Sequence, residues 1–164
     1  MIALLDNGVL AWALAACGLA QLSKLVVELL VHRRWRPAVL IETGGMPSSH
    51  AALITGAAAG IGWELGWSDP LFALASTLAF IVLYDASGVR RAAGKIAARV
   101  NELPDDLWQA RATGVAQPLK ENLGHTRLEV LAGSLMGPLI ALSGLALAGS
   151  PLQIAQGFGW LPLA

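Results

Sequence analysis

From Gly8 to Val31 the sequence is apolar but for a few residues, with Lys24 and Glu28 as its charged side chains. This run narrows the fold more than any other feature. At a rise of about 1.5 Å per residue, a helix of this length reaches across a hydrocarbon core of ~30 Å. Within lipid every backbone N–H and C=O has to be satisfied inside the segment, so a helix is the form available to it. Similar runs at approximately 49–67, 71–86 and 128–148 extend the reading to about four transmembrane helices. The composition agrees, with 55% hydrophobic and 13% charged residues and a mean hydropathy of +0.61, far from an ordinary soluble domain. The 164 residues therefore read as a single integral membrane domain, 1–164, with an all-α, polytopic helical-bundle fold. The N-terminus lacks the basic region of a cleavable signal, so the first run is expected to stay as an anchor. Cys17 is the single cysteine, which excludes an intrachain disulfide and a thiolate metal cluster.

The interruptions of these runs are informative. Lys24 and Glu28 stand four apart on one helical face, where ionisable groups turn toward a bundle interior or pair with each other. Gly56 with Gly60, and Gly133 with Gly137, are small-xxx-small pairs that let helices approach closely. Between approximately 88 and 103, Val89, Ala92, Ala93, Ile96, Ala97, Val100 and Leu103 recur at helical spacing, while Arg91, Lys95 and Arg99 form a stripe on another face. That pattern predicts an amphipathic helix lying against anionic headgroups. Residues 105–119 read as irregular and polar, with Trp108 near the interface, and the apolar 150–164 tail as interfacial. Apart from Lys24, every lysine and arginine lies in 33–36 or in 90–127. With four spans both regions fall on one side, and the positive-inside rule places that side in the cytoplasm of a multi-pass cell-membrane protein.

Chemistry-bearing residues gather in the same regions. Thr43-Gly44-Gly45-Met46-Pro47-Ser48-Ser49-His50 combines a glycine turn, a proline suited to a helix's first turn, two capping hydroxyls and a histidine. A helix start of this kind favours an anion through its free N–H groups and dipole. Ser48 and Ser49 are the candidate phosphate contacts there, or plain helix caps. Tyr84-Asp85-Ala86-Ser87-Gly88-Val89-Arg90-Arg91 and Lys120-Glu121-Asn122-Leu123-Gly124-His125-Thr126 form two further clusters. Two histidines, a carboxylate and several cations are the parts that phosphoryl transfer through a phosphohistidine requires. In such a scheme one histidine attacks phosphorus, a carboxylate orients its ring and the other histidine protonates the leaving oxygen; His125 and Glu129, four apart, would share a helix face. Thr126 and Glu129 also fit a capping box, a role in geometric competition with orienting His125. Asp85 beside Arg90 and Arg91 is either a structural ion pair or a metal ligand.

These three segments resemble the divergent branch of the type 2 phosphatidic acid phosphatase superfamily, which also contains vanadium haloperoxidases. The resemblance covers roughly residues 10–145. The superfamily motifs are Lys-x6-Arg-Pro, Pro-Ser-Gly-His and Ser-Arg-x5-His-x3-Asp. Pro47-Ser48-Ser49-His50 matches the second with serine for glycine, so the resemblance implies the leaving-group acid at His50. His125 and Glu129 match the His-x3-acid part of the third, implying the nucleophile and its orienting carboxylate. Leu119 occupies the place of that motif's arginine, with Lys120 next to it as a substitute cation. Arg36-Pro37 matches the end of the first motif, while Lys24 stands further upstream than the motif lysine. Arg90 and Arg91 are added here as phosphate contacts on their charge alone.

The expected activity is a metal-independent lipid phosphate phosphatase without a cofactor, acting on a phosphomonoester or diphosphate of an isoprenyl or glycerolipid. Its partners would be the membrane lipid substrate and no nucleic acid. About four spans, against the six typical of the superfamily's membrane members, leave room for a second copy to complete the site as a homodimer. Two alternatives stay open at this level. One is metal-dependent phosphoryl transfer with Asp85, Glu129 and the histidines around Mg²⁺ or Mn²⁺. The other is non-catalytic binding of anionic lipid headgroups or of a partner.

Overall fold

The computed structural model describes residues 2–40, 44–103, 118–121 and 123–161. Among them every regular element is helical. The short α1 (Ile2–Leu5) precedes α2 (Gly8–His32), a 3₁₀ turn at Pro37–Leu40, α3 (Ser49–Leu65), α4 (Pro70–Ser87), α5 (Val89–Asn101), α6 (Arg127–Ala148) and α7 (Pro151–Gly157). Polar side chains set the starts. Asn7 Oδ1 accepts from Leu10 N–H at 2.9 Å, Asp69 Oδ1 from Leu71 N–H at 2.7 Å, and Thr126 and Glu129 form the capping box of α6. Arg33, in the left-handed region at φ 52°, ends α2. The irregular reading of 105–119 falls almost wholly on residues outside those described. The tail read as interfacial is in part a short helix, α7, capped by Ser150 and Gln153.

Among the described residues, three stretches are long and apolar enough to cross a membrane: Gly8–Val31, Pro70–Asn101 and Arg127–Gly157. The run at 49–67 becomes a helix of 17 residues. At ~1.5 Å per residue it falls a little short of the ~30 Å core. It is also the innermost helix, packed on α2, α4 and α6, so neighbouring helices rather than lipid surround most of it.

The packing is inverted relative to a water-soluble bundle. Buried positions are small: Ala13, Ala16 and Ala20 on α2, Ala51, Ala52, Ala58 and Ala59 on α3, Ala141 on α6. Large apolar side chains point outward, among them Leu14, Leu30, Phe80, Leu135, Leu139 and Leu147. Leucine outside and alanine inside is stable where the surroundings are as apolar as leucine, and helix contacts then depend on close approach. Gly133 and Gly137 of α6 supply it: a Cβ on either would run into backbone of α3, at Ser48 in the first case and at Ala52 and Gly56 in the second. Gly60 lies in the same way against Val9 and Leu145, and Gly144 against the Trp12 ring, whose Nε1–H donates to Gly149 O at 2.7 Å.

Helix α5 departs from the expected face. Gly94 and Ala97 are its buried residues, while Val89, Ile96 and Leu103 are exposed together with Arg91, Lys95 and Arg99. The reason is backbone packing. A side chain on Gly94 would meet the carbonyls of Glu121 and Leu123, so the strap formed by residues 118–121 and 123–124 lies on this helix. Asn101 holds the other end of the strap, bonding Leu119 through both N–H (3.0 Å) and carbonyl (2.8 Å) and the Glu121 carboxylate at 2.8 Å. Ala97 of the apolar stripe is thereby buried and Val100 partly so, while Val89, Ile96 and Leu103 stay exposed beside the basic stripe.

The α3–α6 contact generates a prediction. Gly137→Val should force the two backbones apart at a cost of ~1–3 kcal/mol or more. The expected outcome is a lower unfolding temperature and loss of the monodisperse peak in detergent. Gly18→Ala, where an added Cβ meets nothing within 4 Å, should leave both unchanged.

Candidate active site

The site forms at the end of the bundle where α3 and α6 begin. Ser48 N–H donates to the carbonyl of Glu129 at 2.9 Å, tying the start of one helix to the first turn of the other. Ser48 Oγ accepts from Ala51 N–H at 3.3 Å and is fully buried. Two of the groups expected to form an anion-binding helix start are therefore already bonded. Ser48 is the N-cap, and Pro47 precedes it outside the helix instead of occupying its first turn. Ser48 and Ser49 are both buried and belong to the lining of neither cavity described below. Their observed part is in the junction.

His125 is held from three sides. Its backbone N–H donates to the Ala86 carbonyl at 2.9 Å, anchoring the strap to the end of α4. Gly124 before it has φ +79° and packs on the backbone of Arg90 and Arg91, a place that no Cβ fits. The imidazole is 7% exposed, and its Nδ1 lies 3.0 Å from Glu129 Oε2. The same Oε2 accepts from Thr126 N–H at 3.0 Å. Capping and orienting, expected to compete, are performed together by one carboxylate oxygen. An ionised carboxylate only accepts hydrogen bonds, so this contact favours the proton on Nδ1 and leaves Nε2 with its lone pair.

Two cavities meet at His125. The larger, about 450 Å³, is lined by Lys24, Arg36 and Arg91, by Glu28, Glu121 and Glu129, and by the glycine turn at 44–45. The smaller, about 220 Å³, is lined by His50, Asp85, Arg90, Ile81 and Val82. Gly44, Leu123, Gly124 and His125 line both. Lys24 is only 5% exposed although it lies well inside α2. Folding thus brings Lys24 and Arg36, too widely spaced for the sequence motif, to the wall of one chamber. Arg90 Nε donates to Asp85 Oδ2 at 2.5 Å, which accounts for Asp85 as an ion pair. Among the described residues no three His, Cys, Asp or Glu side chains gather as a metal site. Lys120 is exposed and is absent from the lining of both cavities.

Sequence reasoning passed over part of this lining. Helical spacing sets Glu28 beside Lys24 on one face without marking it as part of a site, and Val27, at i+3, could have been added from the same spacing. Glu121 and the wall formed by Leu123 and Gly124 could not, because their position depends on the strap lying across α5.

Comparison with known proteins follows the same lines. The model of the family described as "Divergent PAP2 family" matches residues 5–140. A protein of Bacillus subtilis (strain 168) named "Uncharacterized membrane protein YuiD" is 38% identical over 149 residues, covering 85% of this chain and 94% of its own length. No solved structure matches. The family match includes the glycine turn, the Asp85–Arg91 segment and the His125–Glu129 pair, three of the segments that line the two cavities: the chain is an integral membrane protein of the divergent PAP2 family.

Proposed function

We propose that the protein is a lipid phosphate phosphatase that works through a phosphohistidine on His125. The buried contact between His125 Nδ1 and Glu129 Oε2 carries this reading, because it prepares Nε2 as a nucleophile at the wall between the chamber of His50 and the chamber that Lys24, Arg36 and Arg91 line together with Glu28, Glu121 and Glu129. Lys24, Arg36 and Arg91 supply positive charge for phosphate oxygens in the larger cavity. His50, lining the smaller one with His125, serves as the acid.

For a phosphomonoester the steps balance as follows. Nε2 of His125 attacks phosphorus, the bond from phosphorus to the lipid oxygen breaks, and protonated His50 gives that oxygen its proton, releasing the lipid alcohol. Neutral His50 then takes a proton from water, the hydroxide oxygen bonds to phosphorus, and the N–P bond breaks. Inorganic phosphate leaves and His125 is regenerated. The Glu129 carboxylate stabilises the positive ring while phosphorus is attached. The basic residues at this end of the bundle support a cytoplasm-facing site and a substrate in the cytoplasmic leaflet.

Purified protein in mixed micelles with a panel of lipid mono- and diphosphates tests the proposal. EDTA-resistant phosphate release that His125→Ala abolishes is the expected result. Release without change in the variant, or release that needs added Mg²⁺, would overturn it. The outward basic stripe of α5 favours a second reading, headgroup binding without turnover; anionic-lipid binding with no release from any substrate would select it.

The role of His50 predicts a dependence on leaving group. His50→Ala should lower turnover of an alkyl phosphate by on the order of 10²–10⁴-fold. A nitrophenyl phosphate, whose leaving oxygen needs no proton, should suffer far less. Equal losses on both would remove the acid role.

Glu129 predicts a separation of stability from activity. Glu129→Gln retains an oxygen for Thr126 N–H but no negative charge, so the unfolding temperature should hold while turnover falls at least about tenfold. Glu129→Ala should lose both, the cap costing ~1 kcal/mol.

A further inference from the structure

On the outer face of α4 an apolar groove of about 460 Å³ is lined by Thr77, Phe80, Ile81, Tyr84, Asp85 and Val89. Ile81 and Asp85 line the cavity of His50 as well, so groove and cavity adjoin at these two residues. Its far residue, Thr77, lies seven positions before Tyr84 along α4, about 10 Å at helical rise.

We infer that this groove holds one hydrocarbon chain of the lipid whose phosphate is bound at His125. The inference rests on the phosphatase reading for the identity of the phosphate, but its argument is geometric. A lipid phosphate changes abruptly from charged to apolar at its ester oxygen. The walls change in the same order: the charged side chains of the larger chamber, then His125 and His50, then Ile81 beside the Asp85–Arg90 ion pair at the shared boundary, then Phe80, Tyr84 and Val89 outside. His50, the group assigned to the leaving oxygen, lines the chamber that adjoins the groove, so the departing alcohol is on the chain side. The groove follows a helix apolar enough to span the bilayer, which sets it along the direction of lipid tails. All its lining comes from α4 and the first residue of α5, a single helical track suited to one chain.

Photolabelling tests this. The full chain, in phosphatidylcholine vesicles, is irradiated with a long-chain alkyl phosphonate carrying a diazirine midway along its tail. Its C–P bond resists cleavage, so turnover does not blur the result. Peptide mapping should show label concentrated at Phe80, Ile81 and Tyr84, reduced several-fold by excess unlabelled phosphonate. The corresponding alcohol should not compete. Label spread evenly over outward leucines such as Leu135 and Leu139 of α6, or label that nothing displaces, would overturn the inference even if phosphate release persists. Competed labelling of the groove in a protein that releases no phosphate would support the track and overturn hydrolysis. As a second readout, Thr77→Trp should lower the preference for long- over short-chain ligands several-fold, measured by competition against the probe. An unchanged preference would count against the groove.

Discussion

The near-contact of two backbones, α3 against α6, is the constraint on which the rest of the molecule depends. Gly133 and Gly137 remove the side chains that would otherwise keep these helices apart, and the Ser48 and Ala52 backbone occupies the space. Because the approach is close, Ser48 N–H reaches the Glu129 carbonyl. That bond sets the start of the helix carrying His50 beside the start of the helix whose first turn orients His125. A wider crossing would separate the two histidines' cavities. The helix contact and the chemical site are thus one structural fact seen at two scales.

Glu129 concentrates this dependence in a single residue. Its backbone holds α3, its carboxylate caps α6 through Thr126, and the same oxygen fixes the imidazole of His125. In an apolar environment, a polar group with several partners is far less costly than one with none. The polar side chains buried at this end, Lys24, Ser48, Ser49 and His125, cluster around that residue's turn instead of scattering through the bundle. Elsewhere the interior is mostly alanine and glycine, with leucine and phenylalanine facing outward, and at the other end of α6 the buried Ser150 donates to Asp6 Oδ1 at 2.9 Å.

The His125–Glu129 pairing was legible because four-residue spacing at a helix start places two side chains on one face. The glycine pairs were legible as close-contact surfaces for a similar reason, although their partners were not. Ser48 and Ser49 misled as phosphate contacts: hydroxyls at a helix start serve equally as caps, and only the neighbouring helix decides how deeply they are buried. Lys120 misled in the opposite sense, since proximity in sequence to His125 says nothing of which way a strap turns.

By itself, then, the order of residues determined what depends on short-range periodicity and on total apolar length: an all-helical membrane bundle, the helix starts, the small-residue faces and the paired His125 and Glu129. Tertiary structure alone decided what depends on long-range approach. It brought Lys24, twelve positions upstream in a different helix, into the chamber of Arg36 and Arg91. It turned α5 onto its Gly94 face, and it set the His50 cavity beside the groove of α4. Helical spacing is local and can be counted along a chain, whereas a cavity is the space left between elements, and that space exists only once they have packed.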